Sequence, residues 1–262
     1  MVDAKNPGPA IERITVLQVP LDIVPQEALP YVILDLLKNK GGGNIVLLSL
    51  WDLLRARRNK EYRNYILGAA LVIPISKSLV GGARFLTGKI PVRYMPFDFV
   101  VGLLTFLEER EYSLYLLGAK RRVLRKAERN LRQTFPRLGI VGRYPGSFRR
   151  QEEAPLLIAI RKAAPALLLV GTGVRGEERW IARNYLKLNP GLRLWCSDLF
   201  DVFALRRSRP SPAVFNRGLE WIGYCLQKPL HSFRIFPYMY YKFLLLSYRL
   251  RGKNKPLQPI SL

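Results

Sequence analysis

Short apolar runs alternate with longer segments of helical period from Ile14 to Cys196, and that alternation leaves few folds open. Strands are expected at Ile14–Val19, Ile45–Leu48, Leu71–Pro74, Ser113–Leu117, Gly139–Val141, Ala166–Val170 and Leu192–Cys196. Helices are expected at Pro25–Lys38, Leu50–Asn59, Phe97–Glu109, Arg121–Thr134, Glu152–Ala163 and Glu177–Asn189. In the first of these, Ala28, Leu29, Val32, Ile33, Leu36 and Leu37 share one face. Gly41-Gly42-Gly43 stops that helix, and Gly81, Gly82 and Gly88 punctuate the stretch after Leu71–Pro74. Strand–helix alternation of this kind predicts an α/β fold, a mostly parallel sheet with helices on both faces. Ligands of such sheets bind beyond the carboxyl ends of the strands. The loops Leu48–Trp51, Pro74–Ser78 and Gly171–Gly176 are therefore the ones to watch.

With 262 residues, 49% of them apolar, the chain can bury a real core. Its 43 Lys and Arg against 19 Asp and Glu leave a net charge of +24. That charge points to phosphate-rich partners: nucleic acid, anionic lipid or phosphorylated substrates. Cys196 and Cys225 form no C-x-x-C motif, and a reducing, intracellular setting suits two idle thiols. No His/Cys metal spacing, Walker loop or Ser/His/Asp constellation is present, so neither metal nor cofactor is expected. Residues 1–10 lack a signal peptide's apolar run and read as a disordered arm. No transmembrane helix is expected; Ile235–Leu250 comes nearest, but Pro237, Lys242 and Arg249 interrupt it.

The chain changes character after Leu205. Residues 206–262 carry eleven Lys or Arg and a single acidic residue, Glu220. Among these cations stand Trp221, Phe233, Phe236, Tyr238, Tyr240, Tyr241, Phe243 and Tyr248. Cations interleaved with aromatics suit a membrane interface, where Lys and Arg meet lipid phosphates and rings sit at headgroup depth. Docking cations would be Arg206, Arg207, Arg209, Arg217, Arg234, Lys242, Arg249 and Arg251, with Trp221 as an aromatic anchor. Single-stranded nucleic acid is the rival partner. The aliphatic run Phe243-Leu244-Leu245-Leu246 favours lipid, leaving nucleic acid as the weaker reading.

One local motif stands out. Val170-Gly171-Thr172-Gly173 ends a strand, and Glu178-Arg179-Trp180-Ile181-Ala182-Arg183-Asn184 opens a helix. Amides in such a turn can cradle a diphosphate, although a plain tight turn has the same spacing. In sequence this segment resembles the G-L-G-x-P-x-Q-E-x-W-I-x-x-N stretch of the WecG/TagA/CpsF glycosyltransferases. Further stretches follow in the family's order: Ala70–Pro74, Pro91 with Arg93, Asp98, Tyr115–Gly118, Phe200-Asp201-Val202, Gly218–Trp221 and Leu226-Gln227 with Pro229. The resemblance covers about residues 11–250. It implies a Rossmann-like core over 11–205 and a helical C-terminal appendage over 206–262 that docks on the membrane. It also implies a metal-independent, inverting transfer of a hexose or N-acetylhexosamine. The donor would be a nucleotide-diphosphate sugar and the acceptor a polyprenyl-diphosphate-linked sugar at the inner face of the cell membrane. The products would feed wall teichoic acid, enterobacterial common antigen or capsule. Self-association or a partner glycosyltransferase fits the same picture. By the same resemblance Arg93, Gly171, Gly173, Glu178, Trp180 and Asp201 would bind substrate.

Several positions depart from the family pattern. Ile75 stands where the catalytic Asp is expected, followed by Ser76 for glycine; Leu47 and Ser49 replace a T-x-N; Glu177 replaces Gln; and Ser197-Asp198 replace a glycine pair. Arg234 keeps an appendage arginine, whereas Leu230 and His231 stand in for others. Isoleucine cannot take a proton from an acceptor hydroxyl. Asp98 and Asp198 are the substitute bases to consider, with His231 a weaker third. Three functions follow: a glycosyltransferase with a rearranged site, an inactive paralogue that binds the same ligands or a partner, and a nucleic-acid-binding protein.

Overall fold

A computed structural model of the chain describes residues 11–38, 42–188, 191–209, 211–217 and 235–252. The N-terminal arm, Trp221, Cys225, His231 and Arg234 lie outside the described residues. Six strands form one sheet: β3 (Gly42–Leu48), β4 (Leu71–Pro74), β5 (Ser113–Leu117), β6 (Gly139–Tyr144), β7 (Leu167–Gly171) and β8 (Gly191–Ser197). Their spatial order is β4-β3-β8-β7-β5-β6 and every pairing is parallel. Helices cover both faces, and the fold is Rossmann-like α/β as the alternation predicts.

The strands are apolar throughout because both of their faces are buried. Side chains alternate between two cores with the period of the strand. Ile45, Leu71, Ile73, Leu114, Leu116, Leu167, Leu169, Leu192 and Leu194 enter one core. Val46, Leu48, Val72, Tyr115, Leu117, Leu168 and Val170 enter the other. The first core is closed by α1 (Leu29–Lys38), α5 (Pro96–Glu109), α6 (Arg121–Thr134) and α9 (Leu199–Phe203). The second is closed by α2 (Leu50–Arg58), α3 (Lys60–Leu67), α7 (Arg150–Ala163) and α8 (Glu178–Arg183). Also on that side are α4 (Lys77–Thr87) and α11 (Ile235–Leu250), while α10 (Pro212–Arg217) precedes the last helix.

Three local expectations are corrected. Ile14–Val19 is a hairpin, not one strand: β1 (Glu12–Val16) and β2 (Val19–Ile23) pair antiparallel. The chain reverses at Leu17 and Gln18, with φ of 51° and 66°. This left-handed pair makes the turn without glycine or asparagine, which is why no local signal announces it. The hairpin is tied to β4 through Asp22, fully buried, which accepts from Arg13 Nε at 2.7 Å and from the Val72 amide at 2.7 Å. Second, Gly81 and Gly82 do not break the chain; α4 runs through both. Gly82 is needed because a Cβ there would collide with the Tyr241 hydroxyl and stand 3.0 Å from its Cζ. Tyr241, fully buried, donates its hydroxyl to the Ser78 carbonyl at 3.0 Å and holds α11 on α4. Third, the helix expected over Glu177–Asn189 is a short α8 followed by a 3₁₀ turn, Tyr185–Lys187. Pro237 sits in the first turn of α11, where its missing N–H costs nothing.

Candidate functional site

A cleft of about 360 Å³ opens at the carboxyl ends of β4, β3 and β8. The chain leaves β3 toward β4 but reaches β8 from the other side, through β7 and α8, so the exits of β3 and β8 diverge and leave a crevice. Its walls include Ser49, Asp52, Tyr62, Tyr65, Ile75, Glu178, Trp195, Ser197 and Asp198. Ile75 is half-buried and lines the cleft rather than packing in the core.

The β3 exit is rigid. Ser49 caps α2, taking the Asp52 amide at 3.3 Å, while the Asp52 carboxylate accepts from the Ser49 amide at 2.9 Å and its hydroxyl at 2.5 Å. This reciprocal capping box fixes both side chains at the cleft mouth. The other Asp52 oxygen accepts from the Tyr62 hydroxyl at 3.1 Å. Arg55, one turn further on, lies over the Tyr62 ring at 4.4 Å, ion-pairs with Glu178 and approaches Glu177 at 3.7 Å. Burial pushes the Glu178 carboxyl above its usual range, a rise that Arg55 offsets in part. Burial likewise raises both tyrosines, so their hydroxyls stay protonated. Tyr65 is buried, and its hydroxyl has no hydrogen-bond partner among the described residues. Burial also pushes the Cys196 thiol in the cleft wall up to about 12, which rules it out as a nucleophile near neutral pH.

Of the two carboxylates proposed as substitute bases, Asp198 lines the cleft, where it ion-pairs with Arg207. Asp98 is exposed in the first turn of α5 and is not among the cleft residues. Arg93 stands beside the cleft. Its Nε donates to the Ile75 carbonyl at 3.0 Å, its Nη1 to the Phe215 carbonyl at 2.7 Å, and its guanidinium stacks on Phe215 at 3.7 Å. It thereby ties the β4 exit to α10.

Gly171 and Gly173 lie next to the cleft, at the exit of β7. A Cβ on Gly171 would strike the Phe200 ring, and one on Gly118 would come within 2.7 Å of the Gly171 backbone. The exits of β5, β6 and β7 are knitted together: Gly118 N donates to Tyr144 O at 3.0 Å, Ala119 N to Thr172 O at 2.5 Å, and Gly146 N to Ala119 O at 2.9 Å. The Thr172 amide is taken by the Ser197 carbonyl at 2.9 Å. Close loop packing therefore accounts for these glycines. Trp180 is buried and donates to Glu153 at 2.7 Å, where Asn184 joins it at 3.3 Å, so this pair anchors α8 to α7. Asp201 is half-buried in the first turn of α9, with Arg206 at 3.5 Å.

The basic residues of the C-terminal region divide. Arg206 and Arg207 face the chain's own Asp201 and Asp198, and Arg209 lies 6.0 Å from the centre of the Phe97 ring. Arg217 ends α10, exposed, with its carbonyl near Lys77. On α11, Lys242 is exposed 5.5 Å from the centre of the Tyr238 ring. Arg249 donates to the Phe85 carbonyl at 3.0 Å, and Arg251 is exposed just beyond. Among the described residues no helix is long and apolar enough to cross a membrane. Sequence reasoning passed over Asp52, Arg55, Tyr62 and Tyr65; the S-x-x-D pattern of Ser49 and Asp52 was the one local signal for them.

Residues 14–256 match the model of the glycosyl transferase WecG/TagA/CpsF family. An N-acetylglucosaminyldiphosphoundecaprenol N-acetyl-beta-D-mannosaminyltransferase of Bacillus subtilis is 22% identical over 175 residues, 66% of this chain and 67% of its own. A protein of the same name from Bacillus spizizenii is 24% identical over 203 residues, 77% of each chain.

Proposed function

We propose, because this chain belongs to the glycosyl transferase WecG/TagA/CpsF family, that it moves a hexose or N-acetylhexosamine from a nucleotide-diphosphate sugar to a polyprenyl-diphosphate-linked acceptor at a membrane surface. Such a step would serve a cell-surface polysaccharide or teichoic acid. Both curated relatives carry names that specify a lipid-diphosphate-linked sugar acceptor. The observation that carries the reading is the open cleft at Ile75, with Asp198 in its wall. The orphaned Tyr65 hydroxyl and the ring of Trp195 add what a polyhydroxylated ring would use. In this reading the Asp198 carboxylate takes the proton of the acceptor hydroxyl while that oxygen bonds to the anomeric carbon. The bond from that carbon to the diphosphate oxygen breaks, and the nucleoside diphosphate leaves. Arg207, paired with Asp198 in the free protein, would turn to the departing phosphates. Purified protein with a panel of nucleotide sugars and a soluble lipid-linked acceptor should release nucleoside diphosphate. Asp198→Asn should lower that rate by about 10²-fold or more, the usual contribution of a positioned base. No turnover across the panel, with donor binding unchanged in Asp198→Asn, would sink the enzyme reading. It would leave the second one, a binding protein without turnover, which Ile75 at the expected base position favours.

The membrane part of the reading rests on α11, which has two apolar faces. Tyr241, Leu244, Leu245 and Tyr248 are buried against the body of the protein. Phe236, Met239, Phe243, Leu246 and Leu250, at three- and four-residue spacing, stay exposed, Phe243 by 66% and Leu250 by 78%. Lys242 and Arg249 flank this outer face. A helix that is apolar outside and basic at its flank suits the headgroup boundary of a bilayer. The segment 206–262 would then serve as the docking appendage, holding the chain at the inner face of the membrane. Phe243→Ser with Leu246→Ser should abolish flotation with anionic liposomes and leave thermal stability unchanged. Undiminished flotation would refute the docking role.

A further inference from the structure

Five cations crowd one exposed face of α6: Arg121, Arg122, Arg125, Lys126 and Arg129, which together line a shallow groove. None of their side chains hydrogen-bonds or ion-pairs with a described residue. The one acidic residue of the helix, Glu128, points away from them, buried and paired with Arg132 and Arg143. Cations in a first turn oppose the helix dipole, and like charges four apart repel. The pattern therefore costs helix stability and calls for an anionic partner. We infer that this face is a second, purely electrostatic contact with an anionic lipid surface. The inference rests on the membrane reading of α11.

Two observations select lipid. The exposed side of α6 has no aromatic residue on which a base could stack, so it offers charge alone. Its place is the second. The first turn of α6 follows β5 at the sheet edge from which the cleft opens, and α11 begins at the same edge, beside Ser78. In the sheet order the cleft, at β4, β3 and β8, lies between them. An apolar mount at the β4 side and a cationic one at the β5 side would hold the cleft mouth toward the bilayer that carries the acceptor.

The test is flotation of three full-length proteins: wild type, Phe243→Ser with Leu246→Ser, and a variant with all five cations changed to Gln. Two vesicle types are used, pure phosphatidylcholine and an equal mixture with phosphatidylglycerol. Each basic residue near an anionic surface is worth about 1 kcal/mol, or roughly fivefold. The five-Gln variant should therefore partition to mixed vesicles at least about 10²-fold more weakly. It should bind pure phosphatidylcholine as wild type does, and Gln is a good enough helix former to keep α6 folded. Equal partition of wild type and five-Gln protein to mixed vesicles overturns the inference. So does a five-Gln variant that loses oligonucleotide binding while keeping vesicle binding, which would make the face a nucleic-acid surface. If wild type floats with neither vesicle, the membrane reading of α11 itself falls, and this inference with it.

Discussion

Gly81→Ala and Gly82→Ala are adjacent, chemically identical changes whose effects should have opposite signs. At Gly81, exposed in the middle of α4, an added Cβ meets nothing within 4 Å. Alanine there removes backbone freedom from the unfolded chain and should stabilise by about 0.5–1 kcal/mol. At Gly82 the same methyl collides with the Tyr241 hydroxyl and stands 3.3 Å from Leu245 Cδ2. Overpacking of this kind costs about 1–3 kcal/mol. Loss of the Tyr241–Ser78 hydrogen bond adds about 1 kcal/mol. Less the propensity gain, Gly82→Ala should destabilise by about 1–3 kcal/mol. For a chain of this size that lowers Tm by roughly 2–10 °C. Because α11 is what the methyl displaces, limited proteolysis should cut within Ile235–Leu250 before Tm is reached. Gly82→Ala combined with Tyr241→Phe removes the colliding oxygen and should recover part of the loss. If Gly82→Ala proves as stable as Gly81→Ala, with α11 still protected, the close α4–α11 contact is not what that glycine serves.

Gln18→Gly should stabilise by about 1 kcal/mol, because the left-handed backbone at Gln18 costs a non-glycine residue that much; a lower urea midpoint would show that its bond to Arg63 matters more. Asp22→Ala should cost about 3 kcal/mol, and adding Arg13→Ala should restore little, since the Val72 amide stays unpaired; full recovery in the double variant would refute that role for the amide. In a Cys225→Ser background, Cys196 should resist alkylation at pH 8 until the protein is unfolded. Its raised pKa also fixes a sign: the buried thiol's contribution to stability is full below pH 9.0 and is lost as pH rises toward about 12, which alkaline urea titration measures.

The sheet was legible because strands buried on both faces must be apolar for their whole length, and Leu71–Pro74 or Ser113–Leu117 admit no other reading. The hairpin was not, since Leu17-Gln18 lacks every residue that marks a tight turn. Nor was α4, whose glycines look like breakers until Tyr241, far along the chain, is seen against them. In the site, Ile75 and Asp198 were found from the chain, because both follow strands that end at the cleft. Asp98 and Asp198 look alike in sequence, each near a helix start; only the order of strands puts one in the cleft and the other outside it. Asp52, Tyr62 and Tyr65 reach the cleft from α2 and α3, through packing that no local pattern encodes.

The strand made last occupies the middle of the sheet. Until β8 has left the ribosome, β3 with β4 and β5 with β6 and β7 are two separate ribbons, each with a long apolar edge that has no neighbour. Every ladder that joins them runs through Gly191–Ser197, so the nascent chain cannot close its sheet piece by piece from the N-terminus. Such late, long-range closure is slow and leaves sticky edges open while it waits. During its synthesis this chain should therefore depend on chaperones that cover strand edges, and premature termination before β8 should yield aggregates rather than a smaller folded protein.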